Sequence, residues 1–517
     1  MLSAAGREIP DSIAGRKTVA PYRGPFASGP AGPGAPMPAS CSRPGENKTP
    51  ANLKEAIQAV GLKDGMTVSF HHHLRFGDRV TNMVLDTIRE MGIRDLKFTV
   101  TGPHPVDERF ASYIEDGIIT RMEHGFIVDE LGPILARGLL REPVTIRTHG
   151  GRPRAIEAGE LPIDVAFIAA PCVDRFGNIN GTDGTSRCGS LGYAMADAQY
   201  ARKVVAVTDS LSRVPLTRIS IPGTQVDYIV CIDNIGDSSK IATGAIRSTK
   251  NPRDILIARE IAAAVEASGL VRDGFSFQAG TGGVSLGVTQ LVAGIMQREK
   301  VHGSFLLGGI TGSTVSLLEQ GFFDAIYDVQ SFDLDAIASL GNNPRHVEIS
   351  ASYYANPHNK GCAVHGLDVV ILSALEVDTK FNVDVLTGAD GVMRAGPGGH
   401  PDTAAGAKLT IIGTPLLHGR IPAIVDDVIT VVTPGETVDV VATEYGLAVN
   451  PARQDLLQSF KQARLRVVSI QELKARAEQM AGTPKRPEFT DEIIGVVEYR
   501  DGTVIDVVRQ PVAWAGR

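Results

Sequence analysis

Part of this chain is written twice, and that repetition restricts its fold more than any other feature. Residues 163–180 (IDVAFIAAPCVDRFGNIN) and 367–384 (LDVVILSALEVDTKFNVD) align without a gap, at an offset of 368 − 164 = 204. Six positions are identical: Asp164 and Asp368, Val165 and Val369, Ala170 and Ala374, Val173 and Val377, Asp174 and Asp378, Asn178 and Asn382. In each copy an apolar, β-branched run ends in Val-Asp, the pattern of a strand covered on both faces whose carboxyl end opens into polar residues. Two further pairs keep the same order. Residues 222–233 (PGTQVDYIVCID) match 434–445 (PGETVDVVATEY), and GMTVSFHHHLRFGDRVTNMVLDTI from Gly65 resembles GFSFQAGTGGVSLGVTQLVAGI from Gly274. Three pairs in register imply an internal duplication with a unit of about 200 residues.

The expected architecture is therefore α/β: two tandem units with mainly parallel sheets, followed by a small α+β appendix. The boundaries read as 1–50 for a Pro/Gly-rich arm, 51–250 for the first unit, 251–450 for the second and 451–517 for C-terminal helices and a β-hairpin. From Pro21 to Gly45 about half the residues are Pro or Gly, which predicts a flexible arm. In the hairpin, strands over 492–499 and 503–508 flank Asp501-Gly502, a strong turn signal.

Net charge is −7, so the chain carries no basic footprint for nucleic acid or an anionic membrane. Five scattered cysteines with no Cys-x-x-Cys pair argue for reduced thiols and against a disulfide or zinc framework. The N-terminus has no signal pattern and no run approaches transmembrane length, so the expected location is the cytoplasm.

In parallel α/β sheets ligands bind at the carboxyl ends of strands, so the polar strand-end loops are the candidate site. A strand over 66–70 leads to His71-His72-His73-Leu74-Arg75. Adjacent histidines on extended backbone point to opposite faces, which disfavours one shared metal. An anion contact by Arg75 with one histidine and a purely structural loop remain as readings. A strand over 96–100 ends at Thr101-Gly102-Pro103-His104-Pro105. In the second unit the strand ends carry Gly280-Thr281-Gly282-Gly283, Gly308-Gly309 and Gly396-Pro397-Gly398-Gly399-His400. Glycine there permits close backbone approach.

The paired units with glycine loops resemble the coenzyme A transferase superfamily. Within it, SFHHHLRFGD, VTGPHP, AAPCVDRFGNINGTDG, QAGTGGVSLGVTQ and YYANPHNKGC resemble the citrate lyase alpha subunit family. This resemblance implies a citrate CoA-transferase: a phosphopantetheine-type, CoA-like thiol of an acyl carrier (gamma) subunit passes from acetate to citrate, and a separate beta lyase subunit cleaves the product. It implies a hetero-oligomer, no metal and no covalently bound cofactor on this chain, with CoA thioesters as possible surrogates. Ordinary CoA transferases use a glutamate nucleophile at a strand end, where Gly308-Gly309 stands here. The implied route is direct attack of a citrate carboxylate on the thioester, through a mixed anhydride. A conventional transferase using Glu444, and citramalate as acceptor, remain as alternatives. For the direct route the backbone amides of Gly282, Gly283, Gly309, Gly398 and Gly399 are the expected oxyanion donors. Arg75, His72, Arg187, Arg394 and His400 are the expected substrate contacts, because a guanidinium grips a carboxylate with two hydrogen bonds.

Overall fold

A computed structural model describes residues 1–27, 34–36, 48–103, 108–128, 130–242, 250–280 and 282–516. His104 and Pro105 of the VTGPHP loop, Thr281, and much of the Pro/Gly-rich stretch lie outside the described residues.

The duplication is visible in the order of the strands. The first unit supplies β1 (Thr67–Phe70), β2 (Leu96–Val100), β3 (Ile119–His124), β4 (Val144–Ile146), β5 (Val165–Ala169), β6 (Cys172–Asp174), β7 (Ile179–Asn180), β8 (Lys203–Thr208), β9 (Leu211–Ser212) and β10 (Tyr228–Cys231). Seven of these form a parallel sheet in the order β10-β8-β5-β1-β2-β3-β4. The second unit supplies β11 (Phe277–Ala279), β12 (Gly303–Ile310), β13 (Phe323–Ser331), β14 (His346–Glu348), β15 (Val369–Leu372), β16 (Glu376–Asp378), β17 (Val383–Asp384), β18 (Leu409–Gly413), β19 (Leu417–His418), β20 (Ile421–Pro422), β21 (Ile424–Val425) and β22 (Val440–Thr443). Its parallel sheet runs β22-β18-β15-β11-β12-β13-β14, the same order strand for strand. The doubly covered strands foreseen from their apolar runs are β5 and β15, every residue of which is buried.

The repeated Val-Asp and Pro-Gly motifs turn out to be braces. Asp174 accepts the backbone N–H of Phe176 (2.8 Å) and Asn178 (3.1 Å) and the Asn178 amide (2.8 Å), while Asn178 accepts the N–H of Gly223 (2.8 Å). In the second unit Asp378 accepts Lys380 N–H, Asn382 N–H and the Asn382 amide, each at 2.9 Å, and Asn382 accepts Gly435 N–H at 2.9 Å. A Cβ on Gly223 would lie 2.2 Å from the Phe176 carbonyl oxygen, and one on Gly435 2.0 Å from that of Lys380, so only glycine fits after the proline. Asp227 accepts Val204 N–H (2.8 Å) as Asp439 accepts Thr410 N–H (2.7 Å). Each motif thus ties a strand end to the next loop.

The C-terminal α+β segment is shared between the sheets. After β22, strands β23 (Gly446–Val449) and β24 (Val467–Val468) extend the second sheet. The Asp501-Gly502 hairpin, β25 (Phe489–Glu498) and β26 (Val504–Pro511), extends the first sheet by pairing with β4. This crossing back stitches the two units together.

The expected flexible arm is, over residues 1–27, laid on that hairpin. Ile9 and Ile13 bury against Val496, Val504 and Val507, and Arg7 pairs with Asp506 at 2.7 Å. Tyr22 donates its N–H to the Val504 carbonyl (2.9 Å) and sets its ring edge-on to Tyr499 at 4.8 Å. Composition signalled the Pro/Gly-rich part, but two isoleucines upstream of it and a tyrosine at its start supply the apolar surface that pins the start of the chain.

Candidate active site

The two units meet along the carboxyl ends of their central strands. Leu191 N–H reaches the Glu348 carboxylate (2.6 Å), Ser190 donates to the Asp328 carbonyl (2.9 Å), and Asp402 accepts both Thr148 O–H and Gly150 N–H (2.9 Å each). Between these contacts lies a cluster built from loops of both units.

From the first unit, His72 follows β1 and its Nδ1 is hydrogen-bonded to Thr101 Oγ1 after β2 (2.6 Å). Its ring stacks on Tyr193 (5.3 Å), and the Tyr193 hydroxyl meets His149 Nδ1 at 2.5 Å. From the second unit, Gln330 on β13 donates to the His72 carbonyl (3.0 Å), and Gln278 on β11 donates to the Tyr354 hydroxyl (3.0 Å). The β12–β13 register pairs Gly309 with Gln330, next to a bulge between Gly308 and Gly309. The sequence reading placed Gly308-Gly309 in a loop. They lie inside β12, and the bulge gives Gly308 a φ of +107°, which accounts for glycine in a strand.

Arg75 is the electrostatic centre of this cluster. It holds a left-handed φ of 50° in a short 3₁₀ turn, and its guanidinium sits 4.8 Å above the Phe332 ring. Its Nε and Nη1 are shielded from water without a hydrogen-bond partner among the described residues. Burial alone pushes its pKa down, to about 10, with no carboxylate countering it. A Cβ on Gly309 would strike Phe332 at 1.8 Å, so this glycine is what lets Phe332 lie under Arg75. His149 Nε2, Gln278 Oε1 and Gln330 Oε1 are likewise buried and unpaired. Buried polar groups almost always find partners. The unpaired Arg75 donors suit an anionic group, and the unpaired Gln278 and Gln330 oxygens suit a hydroxyl or other donor.

The other expected residues divide clearly. Gly398 has a left-handed φ of 49° and faces the His149 ring, its carbonyl accepting His149 N–H (2.8 Å); a Cβ on Gly399 would lie 2.6 Å from the Tyr354 hydroxyl. Both glycines are thus in the cluster. Gly282 caps and Gly283 opens the helix Gly283–Glu299, which follows the Gln278 strand, so first-turn amides lacking intrahelical acceptors start beside the site. Arg187 is exposed; its loop is tied by Ser238 to the segment whose Asp237 N–H bonds the Gly77 carbonyl, placing it beside the Arg75 turn. Arg394 is exposed and ion-paired with Asp390 at 2.5 Å, a contact at the surface.

His400 is buried with both nitrogens engaged, Nδ1 with Thr433 Oγ1 (2.7 Å) and Nε2 with the Ser373 carbonyl (3.0 Å). That arrangement braces a helix start. Glu444 accepts Leu416 N–H (2.9 Å), a loop-closing bond away from Gly309. Sequence reasoning missed Tyr193, His149, Gln278, Gln330 and Phe332. Of these, His149 stood beside the Gly150-Gly151 turn and Gln278 opened the QAGTGG wording, so both had a local signal.

No group of three or more His, Cys, Asp or Glu side chains suited to a metal occurs among the described residues, and no described helix is long and apolar enough to cross a membrane.

Two duplicated α/β units joined at the carboxyl ends of their central strands have the architecture of the CoA-transferase class, to which the following similarities assign the chain. The solved malonate decarboxylase hetero-tetramer from Pseudomonas is similar in fold, with a TM-score of 0.61 over 84% of this chain and 83% of that one, at 17% identity. A solved alpha subunit of citrate lyase from Streptococcus mutans, in complex with citrate, is similar at a TM-score of 0.95 and 46% identity, covering 99% of this chain and 100% of that one. The citrate lyase alpha chains of Klebsiella pneumoniae (49% identical, covering 95% of each chain) and Haemophilus influenzae (50% identical, covering 90% of this chain and 93% of that one) are similar along their length. The family described as "Citrate lyase, alpha subunit (CitF)" matches residues 46–511. The chain belongs to the citrate lyase alpha subunit family.

Proposed function

We propose that this chain transfers the thiol of an acyl carrier from acetate to citrate, giving citryl-carrier and acetate, without a covalent enzyme intermediate. The observation that carries this reading is Arg75, a half-buried guanidinium with Nε and Nη1 shielded and unpaired among the described residues, beside a strand bulge that offers Gly308-Gly309 and no carboxylate nucleophile. One citrate carboxylate would bind the Arg75 guanidinium, with Phe332 fixing the plane of that group. A second carboxylate, held beside Gly309, attacks the acetyl thioester carbon; the C–S bond breaks and the thiolate leaves. The mixed anhydride then receives that thiolate at its citryl carbonyl, the C–O bond breaks and acetate departs. A carboxylate is a weak nucleophile, so the gain comes from holding the partners in line, up to about 7 to 11 kcal/mol. Backbone amides of Gly309, Gly398, Gly399 and the helix start at Gly282-Gly283 would receive the developing oxyanion, each worth about 3 to 4 kcal/mol where aligned. His72, fixed by Thr101 and Tyr193, lines the same cleft.

The dephospho-CoA-derived arm belongs to a gamma carrier subunit, and cleavage of the product to a beta subunit, so the working form is a cytoplasmic hetero-oligomer. The test is turnover followed by mass spectrometry, with acetyl-CoA as carrier surrogate and citrate as acceptor. Citryl-CoA with no mass added to the protein is expected. A CoA adduct on a glutamate would restore the conventional route, and no reaction even with authentic carrier would sink the assignment.

A further inference from the structure

The two braces are alike inside and unlike outside. In the second unit β21 pairs with β16, Val377 opposite Ile424 and Asp378 opposite Val425; in the first β9 pairs with β6, Val173 opposite Leu211 and Asp174 opposite Ser212. Leu211 therefore stands where Ile424 stands, Ser212 where Val425 stands, and, one and two residues on, Arg213 and Val214 where Asp426 and Asp427 stand. Phe176 stands where Lys380 stands, by the 204-residue offset.

The second copy is covered. Ile424 and Val425 are 0% and 2% exposed and share a buried cluster with Ile470, Leu473 and Ala477 of the helix Ile470–Ala481. Lys474 of that helix pairs with Asp426 at 3.0 Å, and Lys380 pairs with Asp427 at 2.9 Å. The first copy is bare. Leu211 is 46% exposed, and the Lys380–Asp427 pair is replaced by Phe176 and Val214, 50% and 67% exposed, with Ile219 nearby in sequence at 49%. The charge at the edge is inverted as well: Arg213 replaces Asp426, and Arg175 lies over the Phe176 ring at 4.8 Å.

An ion pair exchanged for two exposed apolar side chains loses solubility and gains nothing in a free monomer; contiguous apolar exposure of this kind marks an interaction surface. The covered copy shows which element the surface accepts, and the inverted charge shows which sign it needs. We propose that the Phe176, Leu211 and Val214 face receives an amphipathic helix of a partner subunit, bearing an acidic residue where Ile470–Ala481 bears Lys474. This rests on the reading that the chain works in a multi-subunit enzyme.

The test is hydrogen exchange on the full chain, alone and after adding purified acyl-carrier or citryl-lyase subunit. The expected result is that one subunit slows exchange at least tenfold across residues 209–221. Arg213→Glu should weaken its binding about tenfold, Arg213→Lys should not, and both should leave acetyl-CoA and citrate turnover of the isolated chain at the wild-type rate. Absence of protection by either subunit, or unaltered affinity in Arg213→Glu, overturns the proposal. So does protection already present in the chain alone and rising with its concentration, which would make the occupant a second copy. Loss of turnover alone, with protection intact, would instead count against the thiol-transfer reading.

Discussion

The two halves agree where they hold themselves together and differ at the strand ends that face each other. Asp174 and Asp378, Asn178 and Asn382, Gly223 and Gly435, Asp227 and Asp439 make the same hydrogen bonds in both copies. The strand ends that face each other have diverged: β1 leads to His72 and Arg75, β11 to a glycine turn and a helix start. The first half supplies charge and aromatic surface, the second supplies bare backbone. Identity between duplicated halves therefore reports folding requirements, and function is read from their differences.

The largest effect that would test this division is at Arg75. Replacing Arg75 with Ala removes the proposed anchor for a substrate carboxylate, at a cost of about 2 to 5 kcal/mol in kcat/KM. Thermal stability should hold or rise, because an uncompensated buried cation disappears with it. A variant with full citrate turnover would break the assignment of charge to the first half.

Next in size is Gly309→Ala. Its methyl group would displace Phe332 from beneath Arg75, and a shift of that kind costs about 10²-fold in kcat. Gly282→Ala meets nothing within 4 Å and should leave stability within about 0.5 kcal/mol. Equal behaviour of the two variants would show that close approach at β12 is not what the second half contributes.

The duplication, the parallel sheets and the strand-end position of the candidate site were legible because apolar runs and strand-end glycines are local signals. Arg75, His72 and the two glycine segments could be named for the same reason. Tyr193, Gln330 and Phe332 could not, since Gln330 sits in a strand, Phe332 just after it and Tyr193 at a helix start, with no local signal, and they join the candidate site only when the units dock. His400 and Arg394 were attractive by sequence because they flank glycines. Whether a histidine's nitrogens are already spent on Thr433 and Ser373 is a tertiary fact, whereas the Arg394–Asp390 pair joins residues only four apart. The docked start of the chain was hidden by the composition of the residues after it.

His400 gives the next, smaller test, through pH. Burial lowers its pKa to about 4, below the unfolded value near 6.5, so the folded state requires the neutral ring. The stability this confers is complete above about pH 6.5 and is lost as pH falls through about 4, up to about 3 kcal/mol. His400→Gln should flatten that part of the acid limb in denaturant titrations while leaving the KM for citrate unchanged. A rise in KM with an unaltered acid limb would return His400 to the substrate.

The smallest expected effect separates the two braces themselves. Asn178 and Asn382 each link an aspartate to the N–H of the glycine after a proline, so truncation to Ala leaves the same two partners unsatisfied in either copy. Asn382 is buried and Asn178 only half-buried, so water replaces more of what Asn178→Ala removes. The costs should be about 2 kcal/mol for Asn382→Ala and about 1 kcal/mol for Asn178→Ala, read as shifts in denaturant midpoint at constant m-value. Turnover per folded molecule should stay near wild type in both, because neither side chain reaches the cleft. A large loss of turnover in one copy alone would mean that this brace positions a strand end for catalysis, and the rule that shared positions only fold the chain would then hold for one half and not the other.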